Sequence, residues 1–368
     1  MMESAALPPL YQGWVDSLLG APIPAEHAAT CDDCAMLPAR DLSPAAEPKP
    51  DDTGQFFHPS IKCCTYLPEI PNYLVGRILE NDDPDSAATT GRASVQRRLD
   101  AGVAVSPLGL GRAPVHALLY HHGAQAFGKS VALRCPHYIE DGGRCGVWQN
   151  RAAVCATWFC KYDRGAVGMG FWRALHQLLA ALESNLSRMC VHALGIGEEA
   201  LRALFPTAAP GGPKSPALDA NAIDGVTDPR WQKRIWGDWL GREEAFYGAA
   251  AAHVAALSFE TILAVCGPEV RIFADLTRAA HRQLLSQELP PALHTGPFRL
   301  VQIGKKIDRV VSYNAYDPLD LPAALVRVLP YFDGRPTVEA LESILTEEKI
   351  RVAPQAVRQL VDFGILLP

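Results

Sequence analysis

The sequence predicts an α+β fold, mostly α-helical, with a metal-stapled cysteine-rich N-terminal region, a helical middle and a small C-terminal winged-helix unit. Three observations predict it. Eight of the ten cysteines fall between Cys31 and Cys160. Apolar residues recur at helical spacing from Phe171 to Ala193 and again from Trp231 to Glu288. Beyond Phe298, two short strand-like runs precede three helical stretches. The chain divides accordingly into residues 1–205, a linker at 206–228, a helical region at 229–295 and the C-terminal unit at 296–368. With 368 residues, 48% of them hydrophobic, it can bury one large core or two moderate ones.

The N-terminal stretch from Met1 to Leu19 has no basic start and no continuous apolar run, because Pro8, Pro9, Gln12 and Asp16 interrupt it. It reads as neither signal peptide nor anchor. No stretch approaches the roughly 18 uninterrupted apolar residues of a membrane helix, so no membrane is expected as a partner. The expected compartment is a reducing cytoplasm, where clustered cysteines serve as metal ligands or redox groups rather than structural bridges. Net charge is −6 with charges scattered, and no basic stripe is present to hold phosphates. Nucleic acid is therefore not an expected partner.

The cysteines run Cys31, Cys34, the adjacent pair Cys63 and Cys64, then Cys135, Cys145, Cys155 and Cys160. Thiolate is the soft ligand that zinc and iron–sulfur clusters prefer, and eight thiolates suffice for two four-sulfur sites. All eight are candidate metal ligands. Cys31 and Cys34 form a CxxC, which also suits a thioredoxin-type redox pair, but that chemistry places the motif between a strand and a helix. Neighbouring side chains of an extended segment point to opposite sides, so Cys63 and Cys64 either serve two metals or bracket one cluster from a tight turn. Zinc ribbons use two CxxC knuckles and this chain has one, which favours an iron–sulfur cluster over zinc. Cys190 continues the apolar face of a helix and Cys266 precedes Gly267–Pro268 at a helix end. Neither has a second cysteine close in sequence, and both are left out of the site. His58, His121, His122 and His137 are read as surroundings of a donor set already complete. The aromatic residues Trp148, Trp158, Phe159, Phe171 and Trp172 are expected to shield the later cysteines or to form core.

The remaining elements follow from local signals. Pro38 to Gly54, Asn81 to Gly91 and Pro206 to Asp228 read as loops or linkers. Gly123 to Ser130 spells a phosphate-binding loop in letters, but no helix follows it, and Val115 to His121 with Val131 to Arg134 reads instead as a hairpin. A helix from Phe171 to Ala193 stops at Gly195, and Ser258 caps another. In the C-terminal unit, strands Phe298 to Ile303 and Arg309 to Tyr313 flank a Gly304–Lys305–Lys306 turn. Helices are expected over Leu321 to Tyr331, Val338 to Glu347 and Pro354 to Phe363. From Arg299 to Asp362, nine basic residues face nine acidic ones, which leaves no footprint for DNA.

The block Cys135–Pro136–His137–Tyr138–Ile139, Gly143–Arg144–Cys145–Gly146–Val147–Trp148, Asn150–Arg151 and Cys155–Ala156–Thr157–Trp158–Phe159–Cys160 resembles the YkgJ-type cysteine-cluster family. That resemblance covers Cys31 to Lys161 and implies a zinc- or iron-chelating domain with eight cysteines as ligands. The chain departs from the family in the 28 residues between Cys34 and Cys63, and in Arg151–Ala152 where the family has Arg–Pro. Flagellin lysine N-methylases have a similar cysteine arrangement, which implies an iron–sulfur cluster and methyl transfer. The run Leu329 to Val338 with Val357 to Leu366 resembles the winged-helix peptide chaperones of pyrroloquinoline quinone biosynthesis. It implies a peptide or protein partner for residues 296–368.

The expected function is thus a metal-binding protein with an iron–sulfur or zinc site and a peptide-recognition domain. The alternatives are an iron–sulfur-dependent enzyme that modifies a peptide or protein, and an interaction protein whose zinc only staples loops.

Overall fold

The longest run of helical periodicity makes the longest element. Leu175, Leu178, Leu179, Leu182 and Leu186 stack on one face of a Gly165–Ala193 helix and are fully buried. The helix stops where Gly195 takes a left-handed φ of +71° and its N–H bonds to His192 O at 3.2 Å. The computed structural model in which this is seen describes residues 7–27, 31, 34–37, 56–81, 86–206 and 227–368. Across them the protein is mixed α/β, with helix far exceeding strand.

Around the long helix lies the larger core. The Pro268–Leu285 helix packs along it, and the Pro9–Leu19 helix adds Tyr11, Trp14, Val15 and Leu18. The Asn72–Leu79 helix crosses the Glu243–Ala255 helix very closely. A Cβ on Gly76 would lie 2.1 Å from Tyr247 O, so only glycine permits the approach. Trp236, Phe246, Tyr247, Val254 and Ile262 join the same core, so residues 229–285 share their interior with the cysteine-bearing half.

A second, smaller core gathers Leu293, Val310, Leu321, Val328, Phe332, Ile344, Val357, Leu360 and Leu366. Strands Arg299–Gln302, Ile307–Val311 and Leu319–Pro322 form an antiparallel sheet in chain order, with Arg299 opposite Val311 and Ile307 opposite Pro322. Ala292–Thr295 lies between Asp333–Pro336 and Leu366–Leu367 in a second sheet, so this unit takes in residues before Phe298. Helices Ala323–Val328, Thr337–Ser343 and Pro354–Asp362 complete it.

Several local expectations are corrected. The hairpin at Val115 to Arg134 is absent: Pro114 at the first helical position presets φ for a Pro114–His122 helix, and Val131–Leu133 is a single 3₁₀ turn. The stretch Asn81 to Gly91 is not all loop, since Ser86–Ala101 is helical. The helix expected over Leu321 to Tyr331 starts at Ala323, because Leu319–Pro322 is captured as a third strand. The helix expected over Val338 to Glu347 becomes Thr337–Ser343 followed by a π-turn. All of Pro38 to Gly54 and most of the 206–228 linker lie outside the described residues.

Among the described residues no single helix is long and apolar enough to cross a membrane. The bent pair Glu243–Ala255 and Phe259–Val265 has the length and composition jointly, but buries Phe246, Tyr247, Ala250, Val254 and Ile262 in the larger core.

Candidate metal centre

The adjacent cysteines are set by a turn. Ile61 N and Lys62 N donate to His58 O at 3.1 and 2.9 Å, and Lys62 takes a left-handed φ of +50° that is unusual for a residue with a side chain. The same turn carries the adjacent Cys63 and Cys64, with Cys64 N donating to Ile61 O at 2.9 Å. Lys62 itself is buried, and its Nζ donates to Cys31 O at 2.5 Å and Gly143 O at 2.9 Å.

That turn is tied to the downstream block. Cys135 N donates to Cys64 O at 2.8 Å, and the short strands Tyr138–Ile139 and Arg144–Cys145 pair Tyr138 with Cys145. The Ser86–Ala101 helix lies directly against this pair, where a Cβ on Gly91 would fall 1.9 Å from Gly146 O. Cys155 sits on the Ala153–Thr157 helix, whose first N–H donates to Glu183 Oε1 at 2.8 Å. Glu183 also accepts the Tyr11 hydroxyl, and burial pushes its carboxyl up to about 7.

Cys31 and Cys34 are drawn in from the other side. Glu26 is buried and accepts from Trp172 Nε1 at 2.7 Å and Asp163 N at 2.8 Å, while His27 N donates to Asp163 Oδ1 at 2.9 Å. Chain just before Cys31 is thereby fastened to chain just after Cys160. Cys34, Cys63 and Cys160 then pack around Met36 and Phe57, together with Phe127 and Tyr316. The C-terminal unit closes over this corner: Asn314 Nδ2 donates to Cys160 O at 2.9 Å, and the Tyr316 ring lies 5.6 Å from that of Phe57.

All ten cysteines are free thiols. Burial raises Cys31, Cys135 and Cys160 to about 12 and also raises Cys145 and Cys155. At four of them the next cause is a neighbouring thiol: Cys63 and Cys145 act on Cys31, Cys145 and Cys63 on Cys135, Cys145, Cys135 and Cys63 on Cys155, and Cys34 and Cys63 on Cys160. Cys64 is raised and Cys63 lowered, chiefly by their effect on each other. Cys190 and Cys266 are raised by burial alone. The fold brings Cys34, Cys63 and Cys160 into one apolar cluster and joins Cys64 to Cys135 through the backbone. Cys190 is core, at 0% exposure, and Cys266 ends the Phe259–Val265 helix.

Buried cations face these sulfurs. Lys62 acts on Cys31 and Cys63, Arg98 faces Cys135, and the buried Arg151 faces Cys145, Cys31 and Cys155. Cys155 is solvent-accessible and Cys31, Cys34, Cys63, Cys64 and Cys145 are half-buried, yet enclosure by protein is the leading cause of the shifts at Cys31, Cys145 and Cys155. Among the described residues no three His, Cys, Asp or Glu side chains form a group that could hold a metal ion as placed. Thiols are the donor type that zinc and iron–sulfur clusters take, but the described side chains are not gathered into a metal-holding group in this arrangement.

The histidines are accounted for otherwise. Burial, then Arg98, pushes His137 down to about 3. Its Nδ1 lies 2.7 Å from Ser94 Oγ, whose own proton goes to Gly91 O, so Nδ1 donates and Nε2 turns its lone pair to Arg98 at 3.4 Å. His58, His121 and His122 are exposed. Of the aromatic residues, Phe159, Phe171 and Trp172 are core, Trp148 lies under Arg151 with 3.7 Å between guanidinium and ring centre, and Trp158 is partly exposed beside Phe127. Sequence reasoning missed Lys62, Glu26, Arg98 and Asn314. Lys62 had a signal in its place beside the cysteine pair, whereas Asn314 lies 154 residues from its partner and had none.

No protein-family model, curated protein or solved structure matches this chain.

Proposed function

We propose that this chain is a metal-binding protein in which Cys31, Cys34, Cys63, Cys64, Cys135, Cys145, Cys155 and Cys160 hold an iron–sulfur cluster or zinc, with iron–sulfur the favoured occupant. One observation supports this reading: segments spread over some 130 residues are tied to one another at cysteines, with Cys34, Cys63 and Cys160 in one apolar cluster, Cys135 N donating to Cys64 O at 2.8 Å and the buried Lys62 donating to Cys31 O. The resemblance of Cys135 to Cys160 to YkgJ-type cysteine-cluster proteins supports it. An iron–sulfur cluster would supply electron transfer or an open coordination position, and zinc a closed staple. Residues 296–368 are read as a winged-helix unit that holds a peptide or protein, in a cytoplasmic protein.

A modifying enzyme is the second reading, supported by the accessible Cys155 and by the Asn314 contact, which brings the C-terminal unit to the site's edge. The deciding experiment is metal and acid-labile sulfide analysis with a visible spectrum on protein purified without oxygen. Brown protein with iron and sulfide is the expected result and makes methyl-transfer assays the next step. Colourless zinc protein moves the assignment to a structural staple, and protein without metal overturns it.

A further inference from the structure

We infer that the hairpin from Arg299 to Ile307 is a docking surface for a polypeptide partner that is both acidic and apolar. This rests on the reading of residues 296–368 as a unit that holds a peptide or protein, and adds the surface and the chemistry of what it takes.

The hairpin is built unlike one that only supports a fold. A strand at the side of a core alternates, with one face packed and one solvated. Here all four residues of Arg299–Gln302 are exposed, so neither face is covered. Exposure continues unbroken through Ile303, Gly304, Lys305 and Lys306 to Ile307. Yet four of these nine residues are large and apolar: Leu300 is 37% exposed, Val301 45%, Ile303 77% and Ile307 57%. None of the four packs in either core; the smaller one takes Val310 and Leu321 from the adjoining strands instead. Burial within this chain does not account for them, and contiguous exposed apolar residues mark contact surfaces.

Charge selects the partner. The hairpin carries Arg299, Lys305 and Lys306 and no acidic residue, on a chain whose net charge is −6. The nearest acids are engaged: the buried Asp308 accepts from Gly304 N at 3.0 Å, and Asp320 pairs with Arg309 at 2.7 Å. Among the described residues no ion pair takes up Arg299, Lys305 or Lys306. Three cations interleaved with four apolar side chains complement carboxylates interleaved with apolar groups, and they steer such a partner in from solution. Arg299–Gln302 is also the outer strand of its sheet, with one edge open to a partner's backbone. A register shift between Leu300 and Gln302 breaks the regular ladder, which leaves side chains to set most of the specificity. An anionic bilayer fits less well, since it takes clusters of about 4–8 cations and gains nothing from an open strand edge.

The test uses full-length protein, a synthetic peptide of alternating glutamate and valine, and its lysine–valine counterpart, each fluorescein-labelled and read by anisotropy. Only the acidic peptide is expected to bind, and more weakly as salt rises from about 0.05 to 0.5 M. Hydrogen exchange of the unaltered protein should slow at Arg299 to Ile307 when that peptide is added, a readout that needs no variant to fold. Lys305→Glu with Lys306→Glu, and separately Ile303→Ser, should each weaken binding about 10-fold or more, with circular dichroism unchanged. Equal binding of both peptides overturns the hairpin assignment. So does acidic-peptide binding that protects other parts of 296–368 and survives the substitutions, an outcome that leaves the unit a peptide holder. No binding of either peptide overturns both readings. Capture by vesicles containing phosphatidylserine, with no peptide bound, overturns the inference in favour of a lipid surface.

Discussion

Lys62 shows how much one side chain settles. A left-handed φ at a non-glycine residue is unfavourable by roughly 1 kcal/mol, and here it shapes the turn that leads into the adjacent Cys63 and Cys64. The ammonium then joins the Cys31 segment to the Gly143 turn. Lys62→Met keeps much of the stem and removes the charge, so metal is expected to be held about 10-fold more weakly, as measured by competition with a chelator. Glu183 acts through protonation. Its folded pKa of about 7 lies above the ordinary carboxyl value of 4.5. The neutral form is the one the fold favours, so its stabilisation is fully present below the unfolded pKa and is lost as pH rises through the folded one, about 3 kcal/mol in all. Glu183→Gln keeps an acceptor for Tyr11 and Ala153 N, and the fall in melting temperature between about pH 4.5 and 7 should flatten. An unchanged pH profile would place the sensitivity elsewhere.

At the scale of elements, the Ser86–Ala101 helix positions Cys145 by lying against its strand. Helix propensity alone says that Gly91→Ala stabilises by about 1 kcal/mol. Contact with Gly146 O says the reverse, because a methyl group there must push the strand aside, at a loss of roughly 1–3 kcal/mol. The contact wins in this geometry, since the obstacle is backbone and cannot rotate away. Urea unfolding of Gly91→Ala is expected to show lower stability together with lower metal content, and a stabilised variant would show that the helix does not press on Cys145. Long periodic elements were legible beforehand: Leu175 to Leu186 repeat often enough to specify a helix without help, and Ser258 caps its helix by accepting from Thr261 N at 3.2 Å. Short ones were not. Val115 to His121 alternates poorly, and Pro114 decided for helix; Leu319–Pro322 became a strand because Ile307–Val311 offered it a ladder.

Across the whole molecule, two cores are held together by one charged clasp. Asp362, on the last helix, accepts from Arg164 Nη2 at 2.5 Å and Arg358 Nε at 3.0 Å, while Arg164 Nη1 reaches Ser286 O at 3.0 Å. Arg164 and Asp362 are 17% and 14% exposed, enough burial for the loss of one partner to strand the other charge. Asp362→Ala is expected to cost about 3–5 kcal/mol and to split a single calorimetric transition into two. One undivided transition would mean that apolar packing alone couples the cores. The sequence by itself determined where the long helices run, and it singled out eight clustered cysteines as candidate ligands, because apolar periodicity and soft-ligand chemistry are properties of residues and their near neighbours. Only the tertiary structure decided that Glu26 fastens the Cys31 segment beside Cys160, that Lys62 joins the Cys31 segment to Gly143, and that Asn314 reaches across from the second core. Those contacts join residues tens to hundreds of positions apart, and they exist because burying two apolar cores fixes where every polar group between them must find its partner.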